Sequence, residues 1–308
     1  MAEPEPTFIL SLDCEGKWGM ADNLRPYHRR LFIDQALASA YERLLAMLDR
    51  HRIAATFAFV MAFLLDAAER KRFASILLKQ GDGWLGPYQR EIESGELEGW
   101  HLPGALEAVR GYSGHELACH GFCHRSLASD SCSRDQATAE LGAAQEVAQA
   151  KGIVMETLVF PRNQVGNLDA VREAGFRGYR TRLARPTGTA GKVAALAEEF
   201  NLFESSQPEL PATDGLVPIP AGHFFNWRFG ARRLVPPAVT VRRWTAMLDH
   251  AVRTGGVVHL WLHPHNLVTA PDTGDVLERV LADVAERCAR GELKVETQAQ
   301  YCRRLLAN

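Results

Sequence analysis

The sequence predicts an α/β protein: a parallel sheet with helices outside it, arranged as an open doubly wound sheet or as a barrel. Three observations predict this. Short apolar runs rich in β-branched and aromatic residues alternate with helix-period stretches along all 308 residues. Those runs are nearly continuous in apolar residues, as strands covered on both faces require. Polar clusters directly follow three of them, where the C-terminal ends of parallel strands gather side chains from different strands. Barrels of this class occupy such a length as one unit, so 1–308 reads as a single domain.

Thr7 to Leu12 reads as a buried strand ending before Asp13. Residues 31 to 51 place Leu37, Tyr41, Leu44, Leu45 and Leu48 at helical intervals, and IAATFAFV at 53 to 60 returns to a strand. A second helix is expected from about 62 to 79. The glycine-rich stretch 81–114 has no period and reads as an insertion over a barrel mouth. Then come a short strand at Glu116 to Cys119, a helix near 134 to 150, the strand METLVF at 155 to 160, and a helix near 167 to 174 stopped by Gly175. Residues 186–237, rich in proline and glycine, read as a variable loop region. A helix near 240 to 254 ends at Gly255 and Gly256, VVHLWL at 257 to 262 is a strand, and a helix near 275 to 290 precedes a closing strand and short helix.

Composition is that of an ordinary globular chain, 46% hydrophobic and 23% charged, which excludes disordered and fibrous classes. Against 37 acidic residues stand 35 basic ones, a formal charge of -2, so no global basic field exists to attract nucleic acid or an anionic membrane. The N-terminal MAEPEPTFILSLDCEG has acidic residues where a signal peptide is positive, and FILSL is too short to span a membrane. We expect a cytoplasmic protein with no membrane span. The six irregularly spaced cysteines then read as free thiols.

The polar clusters are Asp13-Cys14-Glu15-Gly16, then Cys119-His120-Gly121-Phe122-Cys123-His124, then His263-Pro264-His265-Asn266. His120 and His124 are four apart, so on a helical turn both imidazoles share one face and can grip one cation. Glu15 or Asp13 supplies a carboxylate, and two histidines with one carboxylate leave a coordination position open, as in catalytic zinc sites. The c-type haem motif needs two residues between its cysteines, whereas Cys119 and Cys123 enclose three, so these thiols read as packing residues. His263 and His265, two apart, face one way in an extended segment. His259 lies inside an apolar strand and reads as a core histidine, while His28, His51 and His250 adjoin helices and read as exposed. Trp18, Trp84, Trp100 and Trp227 fall in expected loops, where aromatic faces suit sugar rings, although packing is the commoner role. Trp18 follows Asp13 and Glu15 closely and is the best placed of them to touch a substrate.

In this order the clusters resemble the polysaccharide deacetylase family with NodB homology, carbohydrate esterase family 4, over most of the chain. The resemblance implies a distorted (β/α) barrel of mostly parallel strands. The family opens with paired aspartates, one a general base and one a metal ligand. SLDCEG matches their position, with Asp13 as base and Glu15 as ligand; glutamate is a departure that leaves the two roles exchangeable. His120 and His124 match the family's His-x-x-x-His motif. Phe160-Pro161-Arg162-Asn163 resembles its arginine-proline motif with altered order, which implies that Arg162 orients Asp13, and the downstream AGFRGYRTR is also family-like. Leu262-His263 fits the last motif, with His263 as general acid and His265 as its rival. Trp227 is a candidate for the tryptophan motif.

By this resemblance the chain is a metal-dependent hydrolase removing an N-acetyl or other N-acyl group from an amino sugar in a polysaccharide precursor. Asp13, His263 and Arg162 would be catalytic, Glu15, His120 and His124 would hold the metal, and Trp18, Pro161, Trp227 and His265 would bind substrate. The donor set suits zinc first, with cobalt, nickel, manganese and iron compatible. The expected partner is an N-acylated amino sugar or sugar-linked precursor. Two alternatives stand beside this reading: hydrolysis of another amide, such as a formamide or cyclic ureide, and a carbohydrate-binding protein with its chemistry lost.

Overall fold

A computed structural model describes residues 5–79, 81–183, 194, 196–200 and 206–307. Nine strands make the sheet: β1 (Thr7–Cys14), β2 (Thr56–Phe59), β3 (Glu116–Cys119), β4 (Thr157–Val159), β5 (Gly178–Arg180), β6 (Val217–Ile219), β7 (His223–Phe224), β8 (Val257–Leu262) and β9 (Lys294–Val295). The order is β6-β5-β4-β3-β2-β1-β8-β7, with β9 on β1, and every pairing between these strands is parallel. The edge strands β6 and β7 are separated in the chain only by Pro220, Ala221 and Gly222. That short link forces the sheet to curl until its two edges approach, because three residues span only about 10 Å. The result is a distorted (β/α) barrel.

β1 is buried at all eight positions because each of its faces meets a different layer. Phe8, Leu10, Leu12 and Cys14 belong to the main apolar cluster, with Leu37, Tyr41, Leu44 and Leu48 of the helix Asp34–His51. The alternate residue Ile9 packs inside with Val217, Ile219 and Val257 against Tyr301 and Cys302 of the helix Gln298–Ala307, which plugs the bottom. Above Ile9 the same row turns polar, as Ser11 and then Asp13, so the barrel interior is apolar at its base and charged at its top. The helix Arg134–Ala150 begins at a capping box, with Ser133 accepting from the Gln136 N–H and Gln136 accepting from the Ser133 N–H. The helices Pro237–Thr254 and Asp272–Ala289 complete the outer layer. Among the described residues no helix is long and apolar enough to cross a membrane.

Three expectations need correction. The helix expected over 62 to 79 is a 3₁₀ turn, Met61–Leu64, followed by Ala67–Arg72 and Ala74–Leu77; Asp66 accepts from the N–H groups of Ala68 and Glu69 and restarts the helix there. The 81–114 stretch contains two helices, Gly86–Glu93 and Gly104–Arg110. The variable loop region 186–237 contains β6 and β7, and β5 just before it was also not anticipated. Two- and three-residue strands that carry Arg180, Pro218 and His223 are too short and too polar to register as apolar runs. Residues 186–193, 195 and 201–205 of that region lie outside the described residues.

His28, expected at the surface, is buried; its Nδ1 accepts from the Arg25 N–H, and burial with the nearby arginines lowers its pKa to about 4. His101 is buried too, donating from Nδ1 to the Ala62 carbonyl (2.7 Å) and accepting from the Tyr88 hydroxyl (2.9 Å). Burial pushes its pKa down to about 3. Because the folded value lies below the unfolded one, His101 stabilises the fold fully above pH ~6.5 and progressively less as pH falls toward about 3. Between pH 7 and pH 5 this group alone should remove about 2 kcal/mol from the unfolding free energy. Urea denaturation at both values should show a smaller loss in His101→Gln than in the wild type, and an equal loss would exclude His101 as a source.

Candidate active site

The site lies at the C-terminal ends of β1, β3, β4, β5 and β8. Glu15 is the second residue after Asp13 and is buried, with its two oxygens facing different histidines. Oε2 lies 3.2 Å from His120 Nε2 and 3.0 Å from His124 Nε2, while Oε1 lies 3.4 Å from His263 Nε2. Glu15, His120 and His124 form one group whose ligand atoms all lie within 4.8 Å of one another; Glu15, His263 and His265 form a second. Burial raises the Glu15 pKa, but the surrounding imidazoles outweigh it and hold the carboxyl well below its usual range.

His120 and His124 do not sit on a helical turn. The segment after β3 is an irregular loop with left-handed backbone at Gly121 (φ +80°) and His124 (φ +59°). Glu140, a buried carboxylate on the helix Arg134–Ala150, organises it. Its Oε1 accepts from the N–H groups of Phe122 (2.9 Å) and Cys123 (2.7 Å), and its Oε2 accepts from the Cys123 thiol (3.3 Å). A Cβ at position 121 would lie 3.2 Å from Glu140 Oε1, so the approach needs glycine there. The His120 Nδ1–H donates to the Val159 carbonyl at 2.8 Å, which turns Nε2 to Glu15.

At the end of β8 the chain turns rather than continuing extended, yet His263 and His265 still meet, with rings stacked 4.7 Å apart at 15°. Asn266 Oδ1 accepts from the His263 backbone N–H (3.0 Å) and lies 3.2 Å from Nδ1, so Nε2 faces Glu15. His265 is buried, and burial beside His263 lowers its pKa to about 3.

The guanidinium on Asp13 belongs to Arg180, not to Arg162. From β5, Arg180 crosses the barrel interior and donates to Asp13 Oδ1 (2.8 Å) and Oδ2 (2.7 Å), to Ser11 Oγ (3.1 Å) and to Asn163 Oδ1 (2.8 Å). Its guanidinium carbon lies 4.6 Å from the Trp261 ring centroid. Burial works against ionisation of Asp13, and Arg180, with His120 and His263, prevails and lowers its pKa. The network continues as a one-way chain: the Ser11 hydroxyl donates to His259 Nε2 (2.8 Å), and the His259 Nδ1–H donates to the Pro220 carbonyl (2.6 Å). His259 is thus a fully paired, neutral core histidine, its pKa lowered to about 3 by burial and the Arg180 charge. Arg162, with φ +59°, points away from this interior, pairs with Asp22 and lies over the Trp84 ring at 4.9 Å. Arg180 stands within the AGFRGYRTR stretch, but nothing local distinguishes it from Arg177 and Arg182.

No family model matches the sequence, and no curated protein matches it. Solved structures do. A protein from Mycobacterium smegmatis assigned as a polysaccharide deacetylase aligns with TM-score 0.63 and 18% identity over 100% of this chain and 92% of its own. Another from Pseudomonas aeruginosa PAO1 with the same assignment gives 0.59 and 12% over 97% and 93%. The chain has the polysaccharide deacetylase fold. The Puue allantoinase shares it, with TM-score 0.57 and 12% identity over 99% and 94%.

On this deacetylase fold the remaining candidates separate. Trp18 is wholly buried: it donates from Nε1 to the Trp100 carbonyl (2.8 Å) and packs on Tyr88 at 4.6 Å, so it has no face for a substrate. Pro161 is buried beside Gly121 and supports the histidine loop. Trp227 and His265 do line a cavity of about 450 Å³, together with Glu15, Phe224, Trp261 and His263. Trp84, which had no individual role assigned, donates from Nε1 to the Cys123 carbonyl (2.8 Å) and lies 6.2 Å from the His124 ring.

Removing Arg180 leaves a buried, unpaired carboxylate, whereas Arg162 forms a partly exposed pair. We expect Arg180→Met to lower the unfolding free energy by about 3–5 kcal/mol and Arg162→Ala by less than about 1 kcal/mol, measured by urea denaturation. The reverse ranking would overturn the assignment of the Asp13 partner.

Proposed function

We propose that this protein is a metal-dependent hydrolase that removes an N-acyl group, acetyl first, from an amino sugar or sugar-linked precursor in polysaccharide biosynthesis. The observation that carries the reading is the convergence on one buried carboxylate, Glu15, of His120 and His124 beside the Asp13–Arg180 pair and His263. The six free cysteines suit a reducing cytoplasm as its place of action.

The donor chemistry fits a divalent cation. Two imidazole nitrogens and a carboxylate oxygen face each other within a buried space, with the His120 tautomer held by Val159 and the Glu15 carboxyl held ionised. Glu15, His120 and His124 would hold zinc, or cobalt, nickel, manganese or iron, which when bound supplies Lewis acidity to the amide carbonyl and acidifies water.

The chain's own groups do the proton work. Arg180 keeps Asp13 ionised, so its carboxylate accepts a proton from the attacking water. His263, held at Nδ1 by Asn266, presents Nε2 to the cavity and delivers a proton to the departing amine. Asp13 and His263 stand at the ends of adjacent strands, β1 and β8, and His263 Nε2 lies 3.4 Å from Glu15 Oε1. Trp227 and Trp261 offer ring faces to the substrate. The fold shared with an allantoinase supports a second reading, hydrolysis of a cyclic ureide or another amide on the same residues.

Elemental analysis of the purified protein, paired with acetate release from N-acetylated nucleotide sugars, tests the proposal. We expect one equivalent of metal in the wild type and acetate among the products. His120→Ala should lose both metal and turnover, whereas Asp13→Asn should keep metal and lose turnover by about 10²–10⁴-fold. Metal loss in Asp13→Asn but not in Glu15→Gln would reverse the roles of those two carboxylates. Metal without acetate would favour the second reading, and no metal after reconstitution would favour a binding protein.

A further inference from the structure

A second cavity, of about 270 Å³, adjoins the aromatic one, and Trp261 lines both. Its wall contains Arg162, Asn163, Gln164, Thr181 and Arg182. Among the described residues that line it there is no carboxylate, in contrast to the aromatic cavity, which contains Glu15. Arg162 is already paired with Asp22, but Asp22 is not part of the wall. Arg182 is exposed, and among the described residues no carboxylate pairs with it. Asn163 spends its side-chain oxygen on Arg180, which leaves its amide nitrogen as a donor. The wall therefore offers guanidinium and amide donors and, among its described residues, no carboxylate.

We propose that this cavity is a subsite for a phosphate group carried by the substrate, so that the amino sugar is recognised as a phosphate ester; the inference rests on the deacylase reading. Guanidinium donors bind phosphate oxygens in charge-assisted hydrogen bonds. Charge also orients the substrate. Arg182 and Arg162 line the cavity on one side of Trp261 and Glu15 lines the cavity on the other, so a phosphate held by the guanidiniums leaves the amide to face Glu15.

Calorimetric titration of the full-length, metal-loaded protein with N-acetylglucosamine 1-phosphate and with N-acetylglucosamine tests it, with N-acetylmuramic acid as a carboxylate probe. We expect the phosphate ester to bind at least about 10-fold more tightly than the neutral sugar, with the advantage shrinking as salt rises. Arg182→Ala should remove most of that advantage while leaving the affinity for the neutral sugar and the melting temperature unchanged, and Arg182→Lys should restore part of it. Equal wild-type affinities, or an advantage that survives Arg182→Ala, would overturn the subsite. A preference for the carboxylate probe over the phosphate ester would overturn the phosphate assignment. Acetate release from the same samples separates the two proposals: the phosphate preference without turnover would keep the subsite and reject the deacylase reading, and turnover with no phosphate preference would do the opposite.

Discussion

Arg180 spans the barrel interior from β5 to Asp13 on β1, two strands that are four places apart in the sheet order. Much else depends on that ion pair. Neither charge can reach bulk water, so each is tolerable only beside the other, and the two strands are thereby tied at one separation. The same guanidinium holds Asn163 from the loop after β4 and Ser11 from β1, and lies on Trp261 from β8. One side chain thus connects four strand ends around the site, and it keeps Asp13 charged where burial alone would neutralise it.

The base of the barrel shows what the polar top replaces. Where Ile9 occupies the inward row of β1, Val217, Ile219 and Val257 close around it and the C-terminal helix seals the end. Two residues further on the row is Ser11, and two further still it is Asp13, so the packing changes from apolar contact to directed hydrogen bonds within one strand. Every polar member of this upper layer is paired in sequence from Arg180 to Ser11 to His259 to the Pro220 carbonyl. Burial and the Arg180 charge keep His259 neutral although Asp13 is close, and the chain of hydrogen bonds occupies both of its ring nitrogens.

The histidines facing Glu15 are placed by groups outside the polar centre. Val159 orients His120, Asn266 orients His263, and Glu140 holds the backbone between His120 and His124. In each case an acceptor fixes a ring or a loop, so that Nε2 of His120, His124 and His263 all face Glu15. Glu140 remains uncharged more readily than a surface carboxylate, because burial raises its pKa, yet its oxygen still accepts two backbone N–H groups.

Periodicity alone determined the parallel α/β class, because strands buried on two faces must be continuously apolar, as Thr7 to Leu12 and Val257 to Leu262 are. The positions of Asp13, Glu15, His120, His124 and His263 directly after such runs were also legible, since strand ends define where loops begin. What only the tertiary structure decided is who pairs with whom across the interior. Arg162 follows β4 whereas Arg180 is the last residue of β5, and their fates differ because the backbone at Arg162 turns outward while Arg180 sits on an inward position of its strand. Trp18 was assigned to a substrate by its nearness in sequence to Asp13, but Tyr88 and Trp100, distant in the chain, enclose it. Local sequence sets the direction of strands and turns, whereas long-range contacts decide which side chains lose water and which charges must meet.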